Sequence, residues 1–170
     1  MSAQEVLIRR AERLSQSAAL REPTRLVELL CFQIGGERYA IETRFTFSVL
    51  QRARPAALPG SPAHFLGILG VQGDIVPAID LARIWGTQPV RSEALSAVIL
   101  GVDEPEFAIV ADSLDELVRF PESEIAAAPA LEDHHEFVAR LFREMLLLDG
   151  KALLQDGRFA IRSSAEERDT

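Results

Sequence analysis

The residues of this 170-residue chain best suited to hold a metal ion sit together at Glu132-Asp133-His134-His135-Glu136. Imidazole nitrogen and carboxylate oxygen are suitable ligand types. Successive residues rarely aim at one ion, and His64 is the only other histidine. A solvated acidic loop is therefore the expectation, and no metal is assigned. Cys31, the single cysteine, stands between Leu30 and Phe32. A nucleophile needs an exposed thiol beside a histidine, whereas an apolar run predicts a buried, inert thiol. With no second cysteine there is no internal disulfide and no thiolate zinc site. Asp74 and Asp80 bracket an apolar stretch, roughly 20 Å apart by strand rise. That is too far for paired acid–base work, so they read as a turn former and a helix cap. Asp112, Asp115 and Glu116 form a charged turn without calcium-loop spacing. Glycine-rich phosphate loops and the Gly-x-Ser-x-Gly elbow are absent from the sequence. No catalytic residue and no cofactor are assigned, and contact through apolar strands is the expected mode of action.

Composition narrows the partners. The chain is 48% hydrophobic and 26% charged, with mean hydropathy +0.08, which excludes disorder throughout. Its net charge of −8 repels phosphate backbones, and the arginines are interleaved with glutamate, so nucleic acid is not an expected partner. The longest apolar runs resemble Met145-Leu146-Leu147-Leu148, far short of the roughly 18 residues of a membrane helix. No membrane insertion is expected. The first twenty residues mix arginine and glutamate without an apolar stretch. Neither a secretory signal nor a transit peptide is expected, and the cytoplasm is the expected address.

The elements that must position any contact surface are short. Residues 1–23 read as an amphipathic helical extension. Ser2-Ala3-Gln4-Glu5 matches a capping box, Leu7, Ala11, Leu14 and Ala18 share one face, and Pro23 ends the pattern. Such a helix packs on its own domain, frays, or docks on a partner. Leu26–Ile34 and Glu37–Ile41 form a hairpin about Gly35-Gly36, and Phe45–Leu50 is a further strand. Residues 55–62 are a proline-rich loop. Phe65–Val71 and Asp74–Asp80 form a second hairpin about Gln72-Gly73. Pro77 predicts a position without a ladder bond, at an edge or bulge. Asp80 caps a short helix, Leu81–Trp85, which Gly86 stops. Leu95–Leu100 and Phe107–Ala111 make a third hairpin, and Glu116–Phe120 is a strand. Residues 121–135 read as a connector. The segment His135–Leu148 fits either a helix or a strand-turn-strand about Arg143-Glu144. Asp149–Leu154 reads as a last helix, and residues 157–170 as a polar, flexible tail. Many short strands with regular turns predict an all-β, barrel-like domain over 24–156.

The run Phe65-Leu66-Gly67-Ile68-Leu69-Gly70-Val71-Gln72-Gly73-Asp74-Ile75-Val76-Pro77-Ala78-Ile79-Asp80-Leu81 resembles the CheW family of chemotaxis adaptors. Phe32–Glu42 is similar to that family's opening hairpin, and Phe107–Asp112 with Leu117–Ile125 to its second half. Met145–Asp149 with Ala152-Leu153-Leu154 is similar to its closing strand and helix. The resemblance implies a mainly β fold: two small SH3-like five-stranded β-barrels sharing an apolar core, here with an N-terminal helix added. It implies a non-enzymatic scaffold that couples a chemoreceptor signalling tip to the regulatory domain of a CheA-type histidine kinase. The positions matching the family's motif, Phe47, Ser48, Leu69, Gly70, Gln72 and Gly73, are the candidate partner-binding residues.

Two departures stand out within that resemblance. Gln72 takes the place of the family's arginine and Ser48 that of its strand glutamate. If the two pair across the domain in typical members, joint replacement leaves neither charge without its partner. A glycine is also missing near Ala139-Arg140. The departures favour keeping, as an alternative, a divergent member that competes with the usual adaptor or serves a pilus or surface-motility output. A small metal-dependent enzyme built on His134 and His135 is the remaining alternative.

Overall fold

Three two-residue turns organise the chain. A right-twisted hairpin requires positive φ at both central residues. Gly35-Gly36 supplies 60° and 85°, Gln72-Gly73 supplies 49° and 90°, and Arg143-Glu144 supplies 47° and 63°. The last turn has no glycine, and so 135–148 is a strand-turn-strand whose turn signal is hidden in the sequence. Arg143 is held there by its neighbours. Its guanidinium lies 2.9 Å from Glu124 and stacks 4.6 Å above the Phe120 ring.

A computed structural model describes residues 2–19, 24–90, 95–132 and 134–159, with side chains of 14–19 left aside. In chain order the strands are β1 (Leu26–Ile34), β2 (Glu37–Glu42), β3 (Thr46–Ala53), β4 (Phe65–Val71), β5 (Asp74–Ile79), β6 (Leu95–Leu100), β7 (Phe107–Ala111), β8 (Ser113–Pro121), β9 (Val138–Phe142) and β10 (Met145–Leu148). The helices are α1 (Ala3–Ala19), α2 (Leu81–Trp85), α3 (Glu122–Ala126) and α4 (Gly150–Gln155). β3 and β8 outrun the expected strands. α3 occupies part of the expected connector, with Glu122 and Glu124 in its first turn, a charge placement that favours a helix start.

The strands form two five-stranded sheets, ordered β8-β1-β2-β10-β9 and β3-β6-β7-β5-β4. Each has two hairpins joined by one parallel pair, β2 with β10 and β5 with β7, and an outer strand, β8 or β3, added antiparallel. Each sheet is also closed by the chain leaving an outer strand. Beyond β3, Ala56 exchanges two 2.9 Å backbone bonds with Ile68 on β4. Beyond β8, Leu141 on β9 donates to the Pro129 carbonyl and Leu131 to that of Ala139. Gly67 permits the first closure. A Cβ there would stand 2.6 Å from the Ala56 carbonyl carbon, and its φ of 144° is one that side chains avoid. The closure also explains Pro77. Ile68 spends both backbone groups on Ala56, so the Ile68–Pro77 pair exchanges no bond. The proline nitrogen faces the β7 side, where pairing begins only at Ala78. Pro77 therefore sits inside the sheet, at a site with no ladder bond to lose.

Apolar strands here are buried on both faces. In β1, Leu29 and Cys31 point into the first barrel, while Leu30, Phe32 and Ile34 point into a core shared by both. In β6, Ala97 and Ile99 fill the second barrel, while Val98 and Leu100 join the shared core. β7 and β10 repeat the alternation. Leu153 of α4 and Phe159 complete the shared core. Phe159 is fully buried, 5.0 Å from the Phe107 ring, three positions beyond the expected limit of the domain at 156. Residues 160–170 of the expected tail lie outside the described residues.

Each sheet passes from the strand next to its edge, β5 or β10, into a capped helix. The Asp80 carboxylate accepts from Ala82 N–H at 3.1 Å, and the Asp149 carboxylate from Ala152 N–H at 3.0 Å. Asp80 is the buried member of the pair, 1% exposed and 3.4 Å from the Arg83 guanidinium. Burial pushes its carboxyl above the usual range, against the opposing hydrogen bonds from Val90 and Ala82 and the charge of Arg83.

Phe159→Ala is expected to cost about 3–5 kcal/mol in chemical denaturation, the range for emptying a buried phenylalanine site. A loss under about 1 kcal/mol would place Phe159 outside the cooperative core. Asp80→Ala is expected to cost about 1–2 kcal/mol through the lost cap, and Asp80→Asn less, because an amide oxygen still accepts. A raised folded pKa means that the folded chain holds the proton more tightly than the unfolded one. Stability relative to Asp80→Asn should therefore fall as pH rises from the unfolded to the folded pKa. A relative stability that rises with pH over that interval would contradict the assignment.

Candidate functional site

The hairpin β4–β5 carries the motif positions and shows how they divide. Pairing sets Leu69 against Val76, Gly70 against Ile75 and Val71 against Asp74. Leu69, Val71 and Val76 point into the second barrel and are buried. Gly70, Gln72 and Gly73 are exposed, as is Ile75 at 65%. The opposite face of the same hairpin is thus a small apolar surface, flat where Gly70 has no side chain and raised at Ile75. Leu69 acts from within, by fixing the hairpin in the core.

Phe47 and Ser48 sit on β3, at the other end of the strand order from β4. Phe47 is half-buried against the second-barrel core, and Ser48 pairs with Ile99 on β6. The structure therefore brings Gly70, Gln72 and Gly73 together and leaves Phe47 and Ser48 on a separate strand. Ile75 is the exposed apolar residue of this hairpin that sequence reasoning did not single out. Alternation from Val76 and Ala78, both buried in the second barrel, places it on the other face.

The His-rich cluster has a packing role. Trp85, at the end of α2, donates its indole N–H to the Glu136 carbonyl at 2.8 Å. Its ring lies between Tyr39 and His135, each 5.2 Å away and close to parallel. Glu136 is engaged by Arg158 at 2.5 Å. The loop is therefore clamped onto α2 by stacking, which ties the second sheet's helix to β2 of the first. Tyr39 is buried beneath this stack, and burial with the nearby Glu37 raises its phenol pKa. Among the described residues no group of three His, Cys, Asp or Glu side chains is arranged to hold a metal ion; Asp133 lies outside them.

Cys31 is fully buried, its thiol 3.4 Å from the Met145 sulfur, and burial pushes its pKa up. A thiol so placed is a packing group. Asp112 accepts from the Gly35 N–H at 2.7 Å, and Arg38 contacts Glu116 at 2.7 Å and Asp115 at 3.5 Å. The acidic turn thus braces the first hairpin against β8. No described helix is long and apolar enough to cross a membrane.

A second hairpin, β9–β10, is the first barrel's counterpart of β4–β5. Leu141 and Leu146 stand opposite each other just before and after its turn, as Gly70 and Ile75 do. With Leu131 they floor an open groove of about 580 Å³, rimmed by Glu37, Arg38, His134 and Glu144.

Comparison with known proteins agrees with this architecture. The chain is 28% identical over 103 residues to Protein FrzA of Myxococcus xanthus, a stretch covering 60% of this chain and 64% of FrzA, just under two thirds of that relative. It is 24% identical over 127 residues to a probable chemotaxis protein CheW of Rhizobium etli, covering 74% of this chain and 81% of that one. The crystal structure of the scaffolding protein TtCheW from Thermoanaerobacter tengcongensis superposes with a TM-score of 0.63 at 16% identity, over 74% of this chain and 90% of that one. The profile of the CheW-like domain matches residues 28–158, a span that begins in β1 and ends beside Phe159, and the chain therefore belongs to the CheW-like domain family.

Proposed function

We propose that this protein is a non-enzymatic adaptor that couples chemoreceptors to a CheA-type histidine kinase in a chemotaxis or chemosensory pathway. The observation that carries this reading is the hairpin β4–β5. It presents Gly70, Gln72, Gly73 and Ile75 on the outer face of a closed barrel, at the motif positions of a family that includes proteins named for chemotaxis. The residues suited to chemistry are occupied in packing: Cys31 in the first barrel, His135 on Trp85, and Glu136 on Arg158. Signal passes as a preference. A receptor state that binds one arrangement of the kinase–adaptor pair more tightly than another shifts the population towards it.

A second reading has one specific observation in its favour. Gln72 is exposed at the turn and Ser48 half-buried on β3, so a charge contact made through either position is missing here. A chain of this kind would bind one partner and compete with a full adaptor, or serve a pilus or surface-motility output.

Co-precipitation with a purified kinase regulatory domain and a receptor-tip fragment separates the readings. An adaptor is retained with both at once, and a competitor with only one. Ile75→Glu lies on the surface and should leave the fold intact while weakening one of the two contacts about ten-fold or more. Binding to neither partner would overturn the proposal.

A further inference from the structure

The addition outside the family match is α1, and the described part of its surface, residues 2–13, is unused by the rest of the described chain. Each described residue from Ser2 to Arg13 is exposed, including Val6, Leu7 and Ile8. An isolated helix of this length is marginal in water, so its apolar residues call for a partner surface. Its charge says which kind. Residues 1–25 carry Arg9, Arg10, Arg13, Arg21 and Arg25 against Glu5, Glu12 and Glu22. That leaves 13 of the 18 basic and 23 of the 26 acidic residues to the remainder, a balance of −10 against +2 for the arm. A body so acidic is repelled by an anionic membrane, which favours a protein surface.

The groove floored by Leu131, Leu141 and Leu146 has the complementary character. Leu141 is 42% exposed, and Glu37 and Glu144 stand at the rim. The one arginine there, Arg38, is already engaged by Asp115 and Glu116. Glu144 holds a φ of 63° at a turn position where glycine is favoured. A side chain kept at such a position against its backbone preference points to a use for it.

We propose that α1 is an arm that docks on a second copy of this chain, placing Leu7 over Leu141 and the Arg10 and Arg13 flank beside Glu37 and Glu144. Two copies exchange arms about a two-fold axis, so that the contact is made twice. The proposal stands apart from the partner contact proposed for β4–β5, which lies on a different hairpin.

Sedimentation of the full chain over about 1–200 µM should show a monomer–dimer equilibrium that weakens as salt rises from about 0.05 to 0.5 M. Leu7→Glu and Leu141→Glu, both surface changes, should each raise the dimer dissociation constant about ten-fold or more. Glu144→Gly relieves the backbone conformation and so keeps the fold while weakening the dimer. Reversing Arg10 and Arg13 to glutamate should abolish dimerisation, and adding Glu37→Arg with Glu144→Arg should restore it. A monomer at every concentration would overturn the proposal. So would a dimer indifferent to Leu7→Glu, or an arm that binds anionic vesicles or its own body in place of a second copy.

Discussion

One constraint governs this molecule: its central strands have no solvent face. Along Leu29–Phe32 of β1, Ala97–Leu100 of β6, β7 and β10, successive residues belong alternately to the interior of one barrel and to the core between the barrels. A strand has a side-chain period of two, so a slip of one residue would exchange the two sets. Phe32 would then be forced into the space of Cys31, and Leu100 into that of Ile99. Fully burying a side chain of this class contributes roughly 1.5–3 kcal/mol, and each residue of these buried runs counts in one core or the other. Register is therefore fixed twice over.

The chain path follows from the same constraint. β3 to β7, with α2 after β5, build the second barrel in one pass. β8 to β10, with α4 after β10, then complete the first barrel around β1 and β2. The two halves use one plan: an outer strand, a hairpin, a capped helix and another hairpin. Their surfaces differ. The outer face of β4–β5 is flat at Gly70 and raised at Ile75, whereas that of β9–β10 is grooved at Leu141. The molecule thus offers two non-equivalent hairpin faces.

Much of this was legible in the residues. The Gly-Gly and Gln-Gly turns announce their hairpins, Asp80 and Gly86 bracket α2, and the continuous apolar runs declare strands covered on both sides. The features that escaped are those settled by distant contacts. Arg143-Glu144 carries no glycine, and its geometry is supported by Phe120 and Glu124 from another part of the chain. Phe159 stands in a polar context, and only the packing of Phe107 and Phe137 shows it to be core. At the candidate site, the motif located the hairpin, but it did not distinguish Leu69, which faces inward, from Ile75, which faces out.

If the shared core binds the barrels into one body, they must open together. Native-state hydrogen exchange measures this directly, residue by residue. The amides of Leu30 and Phe32 in the first sheet and of Val98 and Ile109 in the second should exchange with one common opening free energy and one common dependence on denaturant. Two separate classes, with one sheet opening well below the other, would contradict the account.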